Sequence, residues 1–427
     1  MRRRRDSSGT PTGGLPTRLR GEATIAVGIA TMNVATYAYT MVAARVLGPG
    51  AYGAFAGLMA TLLVLGVLQL GLQATAARRI SADPDHTGQI QRVILKVSLR
   101  AGLLLGLVTV LLAPVLAWVL RIDHLLTPAL VGIAVVPLTL MGGQAGILQG
   151  ERRWGALAAV YVSAGVPRLL IGTALVLWRP TETAAMVGVV IAAFVPVVVG
   201  HLCLRGSPEA RQDSADHVLR PVTWEAVRNS QALLAFFALS NVDIVVARNV
   251  LSEHQAGLYA GGLILTKAVL FLPQFVVIVA FPAMSTAAER SSALFRSLVL
   301  VTFIGAACTV GALVLPGLAL IFVGGSQYAE IEGDLWYFAV LGTLLALLQL
   351  LVYSVVARQG RRSVYLVWGA LGGIVALGSF ASSVPALVAT VIAVDAVLLG
   401  ALIAVDRMRA SLDAAADGRG RVATQAD

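Results

Sequence analysis

Charge is scarce in this chain: only 13% of its 427 residues are Asp, Glu, Lys or Arg, about half the share of a soluble domain. Cysteine is limited to Cys203 and Cys308, both inside apolar runs, so free buried thiols are expected and a disulfide framework is not. Lysine is limited to Lys96 and Lys267, neither of which follows a Gly-rich loop or precedes Ser or Thr, which excludes a P-loop. The five His are scattered, with no H-E-x-x-H and no C-x-x-C, so no metal site and no cofactor is expected. No loop is long enough for a soluble catalytic domain, and the reading is of a non-enzyme. A net charge of +10 would suggest nucleic acid in a soluble protein; here the basic residues cluster in alternating loops, so no nucleic-acid partner is expected.

What is abundant is apolar sequence, 58% of the chain, arranged in runs near the roughly 20 residues that span a bilayer as a helix. The runs are Ala23–Ala44, Ala51–Ala77, Val93–Leu120, Leu125–Leu148, Gly155–Trp178 and Ala184–Leu204, then Gln231–Val250, Gly257–Phe281, Ala293–Val323, Leu335–Val356, Val364–Phe380 and Val384–Val405. They predict an all-α polytopic membrane protein of about twelve transmembrane helices. Ala293–Val323 is too long for an untilted span, so its ends are expected to leave the hydrocarbon. The longest hydrophilic interruption, from Gly206 to Arg228, divides the chain into six-helix halves, 23–205 and 229–406. Residues 1–22 and 407–427 read as disordered tails.

Loop charges orient the spans. One set of loops carries Arg78, Arg79, Arg152, Arg153, Arg205, Arg211, Arg220, Arg228, Arg290, Arg296, Arg358, Arg361 and Arg362. The other set carries one Arg each, Arg45, Arg121, Arg179 and Arg248, with Glu330, Glu332 and Asp334. The asymmetry puts the Arg-rich loops and both termini on the cytoplasmic side of the membrane.

The halves echo one another. Ala44-Arg45 leaves the first span and Gly50-Ala51-Tyr52 opens the second; Ala247-Arg248 leaves the seventh and Gly257-Leu258-Tyr259 opens the eighth. Gln149-Gly150-Glu151-Arg152-Arg153 after the fourth span is matched by Gln359-Gly360-Arg361-Arg362 after the tenth. Two echoes at one six-helix offset are what a parallel duplication produces.

Several spans carry polar groups that hydrocarbon disfavours. Arg168 shares a helical face with Tyr161, Gly165 and Gly172, where small neighbours leave room for a bulky anion; the plainer alternative is an Arg neutralised by carbonyls or by Asp395. Asp243 and Lys267 fall at similar depth on consecutive spans and are expected to form an ion pair, static or gating. Arg100 lies nearer the cytoplasmic end, within reach of the interface. Asn33 and Tyr37, with Thr36 and Thr40, mark one side of the first span; Gln69 and Gln73 add to it, as do Gln274, Gln349 and Tyr353. As a set they suit a wet cavity, and singly they suit helix-bridging hydrogen bonds.

The stretch Ala44-Arg45-Val46-Leu47-Gly48-Pro49-Gly50-Ala51-Tyr52-Gly53 resembles the first-loop signature of bacterial polysaccharide biosynthesis membrane proteins. These are lipid-linked oligosaccharide flippases of the multidrug/oligosaccharidyl-lipid/polysaccharide exporter superfamily. Asp243 with Arg248, Gly257 and Tyr259, and Phe281-Pro282-Ala283-Met284-Ser285, are similar to further patterns of that family. The resemblance implies two six-helix bundles around a central cavity and export of a polyprenyl-diphosphate-linked glycan by alternating access. On that reading Arg168, Lys267 and Arg100 attract the diphosphate, and Asn33, Tyr37, Gln69 and Gln73 meet the sugars. Asp243, Asp395, Arg45 and Arg248 serve gating or ion coupling. The expected partners are the lipid-linked glycan, membrane lipids and glycan-assembly enzymes, with the chain itself a monomer. The alternatives are a cation-coupled multidrug exporter of the same superfamily and a membrane-embedded glycan polymerase.

Overall fold

The computed structural model describes residues 17–205, 219–280, 290–357 and 361–424. Phe281–Ser285 and most of the linker therefore lie outside the described residues, as do the side chains of Gln274 and Tyr353. The chain is helical almost throughout: α1 (Thr17–Leu65), α2 (Val67–Ala82), α3 (Thr87–Leu111), α4 (Ala113–Leu120), α5 (Leu126–Gly150), α6 (Trp154–Trp178) and α7 (Glu182–Leu204). The second half comprises α8 (Leu219–Val250), α9 (Glu253–Ala280), α10 (Arg290–Val314), α11 (Pro316–Val323), α12 (Leu335–Ala357), α13 (Arg361–Gly378) and α14 (Val384–Thr424).

Nine helical segments among the described residues are long and apolar enough to cross a membrane. The first of them, Ala23–Ala82, is 60 residues long and bends at Gly48, so it makes two passages. With α9 and the shorter apolar Val364–Gly378, the described residues hold twelve helical segments at the places of the twelve apolar runs.

Gly48 bends α1 because it takes φ 70°, a left-handed conformation that glycine adopts without steric cost, and Pro49 follows it without an N–H to continue the ladder. Two other breaks occupy matching places in the halves. α3 gives way to α4 at Leu112, just before Pro114, and α10 gives way to α11 at Leu315, just before Pro316. The long run Ala293–Val323 is thus broken by a proline where a single overlong helix was expected.

Helices α1, α2, α3, α5, α6 and α7 pack on one another in the first bundle; α9, α10, α12, α13 and α14 build the second. Small residues allow close approach, as expected where lipid removes the hydrophobic drive for association. Gly28 of α1 meets Ala158 of α6, Gly165 of α6 meets Met32, and Gly172 meets the Tyr39 ring. The bundles meet where α1 touches α9 and α8, and where α2 touches α8.

Three expectations are corrected. The hydrophilic stretch is not all linker: from Leu219 onward it is helix α8, whose Val222 and Ala226 enter the core formed by α2, α3, α5 and α6. The C-terminal tail is helical through Thr424, and the N-terminal tail from Thr17. In both tails and in α8, helix extends from a span that has already nucleated it, and added residues then need only propagation.

Candidate functional site

The end bearing Arg78, Arg79, Arg152 and Arg153 is called the Arg-rich end below, and the opposite one the Arg-poor end. At the Arg-poor end the two halves hold one another through backbone carbonyls. Carbonyls are available there because helix ends and breaks leave them without intrahelical donors. Gly48 is out of helical geometry and Pro49 has no N–H, so the carbonyls of Ala44 and Arg45 lose their usual donors four residues on. The Tyr328 hydroxyl donates to Ala44 O (3.1 Å) and Gln327 Nε2 to Arg45 O (3.0 Å). Arg45 in turn donates to Ile321 O at the end of α11 (3.1 Å).

The other half of the clasp mirrors this one. Arg248, almost fully buried at the end of α8, donates through Nε to Leu120 O (2.8 Å) and through Nη2 to Arg121 O (2.9 Å). Asn249 donates to Val119 O (2.8 Å), and Arg121 returns two bonds to the carbonyls of Leu251 (3.3 Å) and Asn249. Arg45 leaves the first passage and grips the end of α11; Arg248 leaves the seventh and grips the end of α4. The clasp is therefore reciprocal, with each half supplying the same donor to the other. Beside it α1 and α9 nearly touch: a Cβ on Gly257 would lie 1.9 Å from Pro49 O, so only glycine fits. Tyr52 packs edge-on against Tyr328 with ring centroids 6.5 Å apart.

Toward the Arg-rich end, α8 binds α2. Glu225 accepts from both Arg78 and Arg79, the latter at 2.8 Å, and Gly71 accommodates Ser230 and the Ala226 carbonyl.

Between these ends lie two interior polar clusters. In the first half, Gln73 Nε2 donates to the Tyr161 hydroxyl (2.8 Å) and to Gln149 Oε1 (2.9 Å). Two turns along the same face of α6 stands Arg168, within electrostatic reach of the Tyr39 phenol. Its Nε is buried and has no hydrogen-bond partner among the described residues. Tyr39 itself donates to Ala185 O at 2.9 Å.

In the second half, Asp243 accepts from the Tyr259 hydroxyl (3.0 Å) and from Ile244 N (2.9 Å). Lys267 donates to Ser240 O (2.7 Å) and Asn241 Oδ1 (3.2 Å). Asp395 of α14 is fully buried, and neither carboxylate oxygen has a partner among the described residues. Its electrostatic neighbours are Asp243 and Tyr259.

Residues 19–288 match the family described as polysaccharide biosynthesis protein. The chain belongs to that family. The matched stretch holds the bent α1, Arg168, Asp243 and Arg248. No curated protein matches the chain. Among solved structures, it resembles an inward-facing multidrug resistance MATE family transporter of the MOP superfamily, with a TM-score of 0.72 at 15% identity, over 91% of this chain and 98% of that one. An outward-facing structure of such a transporter gives 0.62 at 15% identity over 92% and 95%, and a eukaryotic MATE transporter gives 0.60 at 12% over 90% and 95%. At these identities the likeness shows a shared fold.

Within this member of the family, the residues singled out from sequence are distributed as follows. Arg168, Tyr37, Asn33, Gln69 and Gln73 are all partly buried in the first half, with the Gln69 amide 4.0 Å from Met141 Sδ. Asp243 and Lys267 are close enough to interact electrostatically but form no direct ion pair. The ammonium goes to a peptide carbonyl one turn away on α8, while Tyr259 occupies the carboxylate. Asp395 interacts electrostatically with Asp243, whereas the titratable neighbour of Arg168 is Tyr39, so Asp395 does not neutralise Arg168. Arg100 does not join an interior site: it is exposed on α3. Sequence reasoning missed Arg121, Asn249, Gln327 and Tyr328 as partners of the clasp and Tyr39 and Tyr259 as partners of the interior charges. The available signal was one Arg in each Arg-poor loop, which serves as contact as well as topology marker.

Proposed function

We propose that the protein exports a polyprenyl-diphosphate-linked oligosaccharide across a bacterial plasma membrane for cell-surface polysaccharide biosynthesis. On this reading the Arg-rich end is cytoplasmic, by the excess of positive charge there. The observation that carries the proposal is Arg168, an interior cation whose buried Nε has no hydrogen-bond partner among the described residues, on the same face of α6 as the Gln73–Tyr161 cluster. A guanidinium fork can give two hydrogen bonds to a phosphate group, which a lysine cannot imitate. Asn33, Tyr37, Gln69 and Gln73 supply the sugar-facing donors and acceptors, and the lipid tail stays in the bilayer. The protein acts as a monomer that receives its substrate from glycan-assembly enzymes.

Alternating access needs a closure that can be undone. The clasp suits this, because its acceptors are neutral carbonyls that water can serve when the Arg-poor end opens. Asp243 and Asp395 provide the coupling element. A buried carboxylate without a donor or counter-charge is costly, and uptake of a proton or cation relieves it.

The test compares Arg168→Lys and Arg168→Gln for lipid-linked glycan retained in the cytoplasmic leaflet. Export should fall in the order wild type, Arg168→Lys, Arg168→Gln at similar membrane levels; wild-type export by Arg168→Gln removes Arg168 from the mechanism. The two buried acids favour a second reading, a cation-coupled drug exporter, in which Arg168→Gln leaves drug efflux intact and Asp243→Asn abolishes it.

A further inference from the structure

Helix α3 carries a feature outside the interior site described above. Arg92, Lys96 and Arg100 stand four residues apart and are all exposed, on the side of the helix away from the buried Ile90, Ile94, Ser98 and Gly102. Leu103, Leu107 and Leu111 continue the same side at 53%, 58% and 69% exposure. Lys96 and Arg100 make no ion pair or hydrogen bond with any described residue.

Depth follows from helix length. Trp118, 78% exposed on α4, marks the interface at the Arg-poor end. Roughly 20 helical residues cover the hydrocarbon, which sets the other boundary at about Ser98. Arg92 and Lys96 thus stand at headgroup level and Arg100 at the hydrocarbon edge, with the leucines lying along the acyl chains.

The second half supplies an internal control. Gly102 packs on Thr139 of α5 as Gly305 packs on Thr343 of α12, and α3 breaks at Leu112 as α10 breaks at Leu315. In that register Phe295, Val299 and Phe303 take the places of Arg92, Lys96 and Arg100. They too are exposed, by 64%, 52% and 72%. The same fold at the same depth therefore tolerates apolar residues at all three positions, and neither packing nor the general charge bias requires cations on α3.

We propose that this face of α3 is a binding site for an anionic glycerophospholipid of the adjoining leaflet. Its phosphate lies on Arg92, Lys96 and Arg100, and its acyl chains lie along Leu103, Leu107 and Leu111. A bulk lipid is the occupant because the stripe faces outward from the bundle, on the side of α3 opposite its packed residues, and is reached from the bilayer without entry between the halves. The site does not depend on what the protein transports.

The test is native mass spectrometry of the full-length protein in detergent with phosphatidylglycerol, phosphatidylcholine of the same chains, and a polyprenyl diphosphate. Arg92→Phe, Lys96→Val and Arg100→Phe together install the residues of the second half. Retention of phosphatidylglycerol should fall by about tenfold or more, with phosphatidylcholine unchanged, given the attraction of each basic residue for an anionic surface. Phe295→Arg, Val299→Lys and Phe303→Arg together should gain phosphatidylglycerol, a readout that survives if the first variant does not fold. Unchanged retention, an equal fall for both phospholipids, no gain in the reciprocal variant, or a loss confined to the polyprenyl diphosphate would each overturn the proposal.

Discussion

Arg248→Met removes the buried arginine of the clasp while keeping a long apolar stem. Two hydrogen bonds are lost, to Leu120 O at 2.8 Å and Arg121 O at 2.9 Å. Relative to no interaction at all, such bonds are worth about 4–6 kcal/mol each. Opening the Arg-poor end exchanges them for bonds to water, so the difference between clasped and open states is nearer 1 kcal/mol for each, about 2 kcal/mol together. That is a factor of about 30 in the equilibrium. A population clasped about 99 times in 100 then falls to about three in four, which is measurable. Arg45→Met should shift it less, about fivefold or under, because Arg45 is exposed and gives one bond at 3.1 Å.

Asp123 and Ser252 flank the clasp on opposite halves and are exposed, so cysteines there accept spin labels once Cys203 and Cys308 are replaced by Ser. Distance distributions from double electron–electron resonance should show one short population in the parent and a second, longer one in Arg248→Met. The reasoning fails if correctly folded Arg248→Met gives the parent's distribution, or if Arg45→Met opens the seam more than Arg248→Met does.

Gly257→Ala puts a methyl group where Pro49 O lies 1.9 Å away, so the seam between α1 and α9 cannot close; the same label pair should report the longer distance even with every clasp residue intact. Asp395→Asn removes a buried negative charge that has no hydrogen-bond donor among the described residues, so the melting temperature should hold or rise while gradient-driven transport in proteoliposomes is lost. Gradient-driven transport that persists in Asp395→Asn would take the carboxylate out of coupling.

Much of this architecture is legible in the residue order because hydrocarbon permits so few backbone solutions. Apolar runs of span length gave the passages, and the Gly48-Pro49 pair marked the bend of α1. The face holding Tyr161, Gly165, Arg168 and Gly172 was readable from 3.6-residue spacing, and it does pack on α1. Rotation of a whole helix was not readable. Arg100 and Arg168 both stand in apolar runs, and only the packed residues of α3 and α6 show that one faces outward and the other inward. Nor could depth alone foresee that Lys267 selects a carbonyl over Asp243. Axial offset between α8 and α9 puts the ammonium one turn off, and the Tyr259 hydroxyl, a neutral donor, takes the carboxylate. The clasp was hidden for a related reason. Its acceptors are backbone atoms, which every residue has, so no side-chain pattern announces them.

Helix α8 connects these features. Near its start Glu225 and Ser230 are held by α2 of the first half, and at its end Arg248 and Asn249 are held by α4 of the same half. Between those attachments Ser240 and Asp243 are held by Lys267 and Tyr259 of α9, which belongs to the second half. The helix is thus bound to one bundle at both ends and to the other in the middle. If the second bundle rocks away at the Arg-poor end, α8 must either release α4 or release α9. Asp243 lies five residues from Arg248, about 7.5 Å along the axis. A change of charge at Asp243 or its neighbour Asp395 alters the hold of α9 on the same helix segment that carries the clasp. Coupling between an ion and the closure then needs no long chain of contacts; it needs one rigid helix whose two sets of bonds cannot all be kept at once.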